Sequence, residues 1–346
     1  MAMADVTVLG AGIFGLSIAW ACAQRGAHVR VIDPQGPGAG SSGGIVGALA
    51  PHVPEQWNEK KAFQFDSLIM TADFWAGVEA TSGLSTGYAR LGRLQPVADD
   101  AALALAQERA RSAADLWQGQ AVWEVVATDS LGDWCPDSPS GRVIRDTLTA
   151  RLHPRMACAA LVGALQARGG EVVSDHAHQG RVIHATGVAG LVAASAALGR
   201  SFGNGVKGQA ALLALDRRDA PQLFVDTVHI VPHADGTVAI GSTSERDYDD
   251  PASTDAQLEA LIARVRAALP ALRDAPVIDR WAGVRPRSRS RAPVLGGHPV
   301  HKGQFIANGG FKIGFGMAPK VAEVMADLVL EGVDRIPAGF RPEASL

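Results

Sequence analysis

Residues 5–34 read DVTVLGAGIFGLSIAWACAQRGAHVRVIDP, and the fold class follows from how this stretch is built. Val6, Val8 and Leu9 form a short apolar run that halts at Gly10, as a buried strand does. From Leu16 to Gln24 the apolar residues Leu16, Ala19, Trp20 and Ala23 share one helical face, and Gly26 closes the segment. Val29 to Ile32 reads as a second strand, stopped by Asp33-Pro34. Strand, glycine turn, helix and strand in so short a span open a parallel βαβ unit with a right-handed crossover. Inside it, Gly10-Ala11-Gly12-Ile13-Phe14-Gly15 has the spacing G-x-G-x-x-G. Gly10 suits a tight turn, Gly12 lets a pyrophosphate approach the backbone, and Gly15 lets the helix pack on the strand. The helix N-terminus then faces the phosphates. Asp33 is placed to accept hydrogen bonds from an adenosine ribose and would repel a 2'-phosphate, which argues against NADP.

Downstream, Gly36 to Ala50 holds six glycines with Ser41 and Ser42, and little that is bulky before Ile45. Such a loop lets the chain hug a long cofactor. Ser41 and Ser42 can bond a pyrophosphate or ribityl chain, and Ala48 to Ala50 can pass close to a flat ring, so a flavin dinucleotide fits better than a nicotinamide one.

Helices are expected at 60–78, 101–116, 152–168 and 258–269, with a last one carrying Met317, Val321, Val324 and Leu328 on one face. Strands are expected at 87–97, 122–126, 171–173, 181–185, 206–215, 223–231, 237–242 and 304–307. The pattern implies an α/β protein: a Rossmann-like dinucleotide-binding domain with an inserted domain of antiparallel sheet plus helices. The expected binding domain is 1–85, 145–205 and 283–346, and the expected substrate domain is 86–144 and 206–282.

At 346 residues the chain has room for two such domains. Lys+Arg 32 against Asp+Glu 35 gives a formal net charge of -3, so no bulk field favours nucleic acid or an anionic membrane. Cys22, Cys135 and Cys158 show neither a disulfide framework nor metal-ligand spacing, and no metal is expected. They fit a reducing, cytoplasmic setting. The apolar N-terminal stretch is broken by Gly10, Gly12, Gly15 and Arg25, so it reads as neither signal peptide nor membrane span.

Taken together, several strings resemble the FAD-dependent D-amino acid oxidase superfamily, nearest to its glycine oxidase-like and sarcosine oxidase-like members. Besides the N-terminal fingerprint, they are Ser41-Ser42-Gly43-Gly44 running into Gly47-Ala48-Leu49-Ala50-Pro51-His52, then His153-Pro154-Arg155 and Ala185-Thr186-Gly187. Val231-Pro232, Ile240-Gly241-Ser242-Thr243 and Trp281-Ala282-Gly283-Val284-Arg285-Pro286 follow. Pro293-Val294-Leu295-Gly296, Gly309-Gly310-Phe311 and Ala318-Pro319 complete the set.

The resemblance implies a site. Gly10, Gly12, Ile13, Phe14, Gly15 and Asp33 would hold the adenosine diphosphate half, and Ser41 and Ser42 the phosphates and ribityl chain. Gly47, Ala48 and Leu49 would lie by the isoalloxazine, Val173 would touch adenine through its backbone, and Thr186-Gly187 would line the pyrophosphate. Gly310, Phe311, Lys312, Ile313 and Gly314 would bring a helix N-terminus to the flavin pyrimidine edge, where a reduced flavin is negative. Arg285 would bind the substrate carboxylate with its bidentate fork, aiming Cα–H at flavin N5 for hydride transfer. The resulting imine would hydrolyse in water, and O2 or another acceptor would reoxidise FAD. His229 stands where relatives carry a tyrosine, and it can donate to the substrate or act as a base near neutral pH. His52 lies close to the expected flavin loop.

Two departures bear on substrate. Arg285, Arg287, Arg289 and Arg291 alternate, which puts them on one face of an extended segment, and Ser290 stands where relatives often carry an aspartate. A second carboxylate or a phosphate on the substrate would suit that face, as would solvent alone. No cysteine sits by Gly310 or Arg287, and Gly316 replaces the lysine of the sarcosine oxidase branch, so FAD is expected to be non-covalent. The implied activity is oxidation of the C–N bond of an amino acid or N-substituted glycine. Two alternatives stand beside it: oxidation of a carboxymethylaminomethyl-uridine in tRNA, and a non-catalytic or partner-dependent flavoprotein subunit.

Overall fold

The computed structural model describes residues 3–346; the first two residues of the expected binding domain lie outside the described residues. Strands Val6–Leu9, Val29–Ile32, Glu171–Val173, Arg181–His184 and Phe305–Asn308 pair in parallel, and Val294–Gly297 closes one edge antiparallel to Phe305–Asn308. Val6–Leu9 is central, flanked by Val29–Ile32 and Arg181–His184. Its neighbour in the chain, helix Ile13–Gln24, is buried from Ile13 to Ala23, as a helix apolar on all sides must be. It packs between this sheet and helix Gly314–Ala326, while Glu59–Ser82 and Pro154–Ala167 complete the same layer.

The second sheet has eight strands in the order Val277–Ser288, Gly203–Ala214, Thr237–Gly241, Val228–Pro232, Gln222–Val225, Arg93–Pro96, Arg142–Asp146, Trp123–Ala127. All neighbours are antiparallel except Gln222–Val225 with Arg93–Pro96. One face buries Leu213, Leu223, Val228, Ile230, Val238 and Ile240 under helix Ala256–Ala268. The other face carries Ala210, Leu212 and Ala239 against Ile45 of the glycine loop, so the loop is clamped between the domains.

Three expectations change. The expected strand 223–231 is a hairpin: Asp226 and Thr227 both take positive φ (48° and 67°), which a tight two-residue turn requires. The expected strand 87–97 shrinks to Arg93–Pro96, because Gly87 and Gly92 break it at φ 68° and 78°. The expected domain boundaries at 145, 206 and 283 fall inside strands Arg142–Asp146, Gly203–Ala214 and Val277–Ser288. These belong to the eight-stranded sheet, so the division follows the strands. Among the described residues no helix is long and apolar enough to cross a membrane.

Candidate active site

Gly10 takes φ 104°, and a Cβ there would lie 2.4 Å from the Ala185 carbonyl oxygen. At Gly15 a Cβ would come within 1.9 Å of the Gly10 carbonyl oxygen, so neither position admits a side chain without moving strand or helix. The Asp33 carboxylate accepts from Ala11 N–H (2.8 Å) and Gln35 N–H (3.0 Å), which fixes the turn and leaves lone pairs free for hydroxyl donors. Asp33 N–H donates to the Val173 carbonyl (3.0 Å), placing Val173 beside it. The buried Ser42 hydroxyl accepts from Ile13 N–H (2.9 Å) at the head of helix Ile13–Gln24.

Helix termini divide into two kinds. Glu59–Ser82, Asp100–Leu116 and Ala256–Ala268 are capped by the side chains of Asn58, Asp99 and Asp255. Four others begin without a cap from the N-cap side chain or an acid in the first turn: Pro154–Ala167, which opens on a proline, and Ile13–Gln24, Gly187–Leu198 and Gly314–Ala326. The last three are the termini next to Gly12, Thr186-Gly187 and Gly310 to Gly314, where an anion would satisfy the N–H groups still free once Ser42 has taken that of Ile13. Gly310 sits against Phe14 and Gly314 against Ile13, so the two glycine segments meet. Gly47 (φ 64°) passes against the Leu152 carbonyl, and Leu49 lies next to Gly316, which brings Ala48-Leu49 to the same helix. The residues present therefore form a cradle that suits FAD.

Beyond the cradle, strand Val277–Ser288 carries Arg285 into the interior, 7% exposed. Its guanidinium donates to Ser242 Oγ (2.6 Å), the Thr243 carbonyl (2.7 Å) and the Lys207 carbonyl (3.1 Å), while Nε is buried without a partner. Gly208 makes room for it. Among the described residues it has no carboxylate in ion-pair range; Glu245, the nearest by influence, is held by Gln209 (3.0 Å) and Lys207 (3.8 Å). Burial pushes the Arg285 pKa down to about 10. Phe311 N–H donates to the Pro286 carbonyl (3.1 Å), and Phe311 takes a left-handed φ of 45°. Its ring lies 5.6 Å from the Arg285 guanidinium, 5.5 Å from that of Arg287 and 5.8 Å from Lys312 Nζ. Lys312 is pushed down to about 8 by crowding of its ammonium and by the like charges of Arg285 and Arg287. Its side chain as a whole is exposed, so the neighbouring charges are the firmer cause.

The His229 ring lies tilted at 45° against Phe224, 4.7 Å between centroids, and its Nδ1 is buried without a partner. Burial, then Arg93 and Lys312, push its pKa down to about 3. This imidazole therefore stands neutral near pH 7, with one ring nitrogen to donate and one to accept. His52 is not brought to these groups; its backbone N–H donates to Gln64 Oε1 (2.8 Å) and its ring also meets that oxygen. Arg289 and Arg291 are exposed beyond the strand end, and Arg291 adopts φ 61°, so only Arg285 and Arg287 share the inner face.

Arg93, paired with Asp146 at 2.9 Å beneath Phe224, and the anchors Ser242 and Thr243 were not legible from spacing. Neither was a group at the far edge of the parallel sheet, where His184, His298 and His301 place ring nitrogens within 4.8 Å of one another. There His298 Nδ1 already accepts from the Val300 and His301 N–H groups (3.1 and 3.0 Å), so its lone pair is engaged.

The model of the FAD dependent oxidoreductase family matches residues 5–328. The chain belongs to that family. Among curated members it is 29% identical to a glycine oxidase of Pseudomonas putida over 379 residues, 99% of each chain being covered. It is 27% identical over 352 residues to the bifunctional protein ThiO/ThiG of Trichormus variabilis, covering 94% of this chain and 53% of that one. The chain thus spans about half the length of the bifunctional relatives it matches. Of solved structures, an iminodiacetate oxidase from Chelativorans sp. BNC1 superposes with a TM-score of 0.83 at 21% identity, covering 97% and 98% of the two chains. A glycine oxidase from Bacillus cereus gives 0.81 at 19%, covering 96% of each. Both share the fold, and the family is one of FAD-dependent oxidoreductases.

Proposed function

We propose that this protein oxidises the C–N bond of an amino acid or N-substituted glycine, with FAD held non-covalently and O2 or another acceptor regenerating it. The observation that carries this reading is Arg285: a buried guanidinium with no carboxylate partner, beside the cradle of uncapped helix termini. A buried cation without a counter-ion is costly unless a ligand supplies one. A substrate carboxylate is that ligand, and Arg285 would fix it by a charge-assisted fork. Bound FAD supplies the hydride acceptor. Holding the amine in line is the work of Arg285 and of the neutral His229 N–H, which can donate to the same carboxylate. The uncapped terminus of Gly314–Ala326, with Lys312, would stabilise negative charge on the reduced cofactor.

Non-covalent attachment is supported by the cysteines. Burial pushes the Cys22 and Cys158 thiols up to about 12, and Cys135 lies on the far side of the second domain beside Pro136. All three are free, in keeping with a reducing, cytoplasmic setting. The P. putida relative, named a glycine oxidase and matched end to end, supports the amino-acid reading. The experiment is anaerobic mixing of the purified flavoprotein with glycine, sarcosine and D- and L-amino acids, acidic ones included. Loss of the oxidised flavin's visible absorbance with one group is expected; loss with none would overturn the reading.

A further inference from the structure

Resting on that reading, we infer that the substrate carries a second acidic group, a carboxylate, and that Arg287 receives it while Arg285 holds the first. Three cations, Arg285, Arg287 and Lys312, surround the single ring of Phe311, and none has a carboxylate within ion-pair range among the described residues. Nearby acids are committed elsewhere: Glu245 to Lys207, and Asp146 to Arg93. One carboxylate on Arg285 and the charge of a reduced cofactor by Lys312 account for two of the three. Arg287 is left over.

Its placement is built rather than incidental. Arg285 and Arg287 stand two residues apart on one strand, paired opposite Val206 and Asn204, so their side chains leave the same face about 7 Å apart. The Phe311 N–H bond to the Pro286 carbonyl fastens the ring between them, and Phe311 keeps a left-handed backbone there that a non-glycine residue rarely adopts. Arg287 is half-buried and makes no hydrogen bond to protein among the described residues, unlike Arg285 with its three. A short amino dicarboxylate, in which two carboxylates flank the reacting amine a few bonds apart, matches two forks at this spacing. A monocarboxylate leaves the second fork bare.

The test uses the holoenzyme and two inert thioethers, thiodiacetate with two carboxylates and (methylthio)acetate with one, titrated by their perturbation of the flavin spectrum. Thiodiacetate is expected to bind about 10- to 100-fold more tightly, the range of one charge-assisted hydrogen-bonded group. In Arg287→Gln that ratio should fall towards one, and Arg287→Lys should restore part of it. Equal binding of the two thioethers, or a ratio unchanged in Arg287→Gln, would overturn the inference. Turnover then separates the two levels of argument. Iminodiacetate is expected to exceed sarcosine in kcat/KM by a similar factor. Oxidation of sarcosine with no dianion preference refutes only the second carboxylate, whereas a flavin that no amine reduces refutes the C–N reading while the thioether ratio still reports on Arg287.

Discussion

Replacing Arg285 by methionine separates a substrate anchor from a structural arginine. The side chain is 7% exposed and makes three hydrogen bonds, none to a carboxylate. The fall in its pKa from 12.5 to about 10 corresponds to about 3 kcal/mol held against the charged form by burial. Arg285→Met removes that cost, since methionine fills a similar apolar stem volume. It also strands the Thr243 carbonyl and the Ser242 hydroxyl, at about 1–3 kcal/mol for each buried group left unpaired, while the Lys207 carbonyl keeps the Glu245 N–H (3.0 Å). The two effects oppose each other, so the apparent melting temperature should move by only a few degrees. Activity has no such compensation. Truncating one partner of a buried, hydrogen-bonded charge pair costs about 2–5 kcal/mol, so kcat/KM should fall between about 30-fold and several thousand-fold. The assay pairs anaerobic stopped-flow flavin reduction with thermal melting of the same preparations. Arg285→Lys should recover part of the affinity, because it restores charge without the fork. A melting temperature that drops steeply while kcat/KM stays within fivefold would show that Arg285 holds the domains together, and the carboxylate argument would fail.

Ser42→Ala removes the acceptor for Ile13 N–H in a buried place, so FAD should bind about tenfold more weakly, read by recovery of free-flavin fluorescence on dilution. Because Lys312 is pushed down to about 8, its charge is lost as pH rises through that value. Thiodiacetate affinity should fall between pH 7 and 9, and Lys312→Met should flatten the curve. His229, His233 and His298 are pushed down to about 3, 4 and 4, so the unfolded chain takes up protons that the folded one refuses. Stability should therefore be full above pH 6.5 and decline as pH falls towards 4, and His229→Gln should lessen the slope of the urea midpoint against pH.

The parallel half of the fold was legible because its signals are local. The Val6 to Leu9 run, the glycines at 10, 12 and 15, and Asp33 lie within one βαβ unit, and the structure keeps them in the places the spacing implied. The hairpin at Asp226-Thr227 was not legible, because its turn uses an Asp-Thr pair in place of the Asn-Gly or Asp-Gly that announces positive φ. The domain boundaries were blurred for another reason. Gly203–Ala214 and Val277–Ser288 form one long ladder, with a register shift between Leu212 and Leu213, that runs from beside helix Gly187–Leu198 into the second sheet. Nothing in the composition changes where the ladder passes from one domain to the other. Site residues divide in the same way. Arg285 stood out within its own string, but its anchors Ser242 and Thr243 follow strand Thr237–Gly241, more than forty positions earlier. His184 and His298 meet across more than a hundred positions, which no spacing rule registers.

Buried polar atoms without a partner occur throughout the fold, at Trp20, Trp75, Arg151 and Gln222 among others, but those beside the glycine segments share a preference for negative charge that bears on the ligand. Asn58, Asp99 and Asp255 close the N-termini of three helices, and Pro154–Ala167 opens on a proline, which has no N–H to satisfy. Where three helices converge on the glycine segments, the caps are absent, and the neighbouring residues add the unpartnered Arg285 Nε, the unpartnered His229 Nδ1, the bare Arg287 and the left-handed Phe311. The free N–H groups and the Arg285, His229 and Arg287 side chains are unfavourable for the isolated chain, and each is relieved by negative charge or by a hydrogen-bonding ligand. Diphosphate answers the helix termini, whereas carboxylate answers the arginines. A purely structural flavin would account for the first set and leave the second without a purpose, and the cation cluster around Phe311 is therefore what favours an enzyme acting on an acidic amine over an inert flavoprotein.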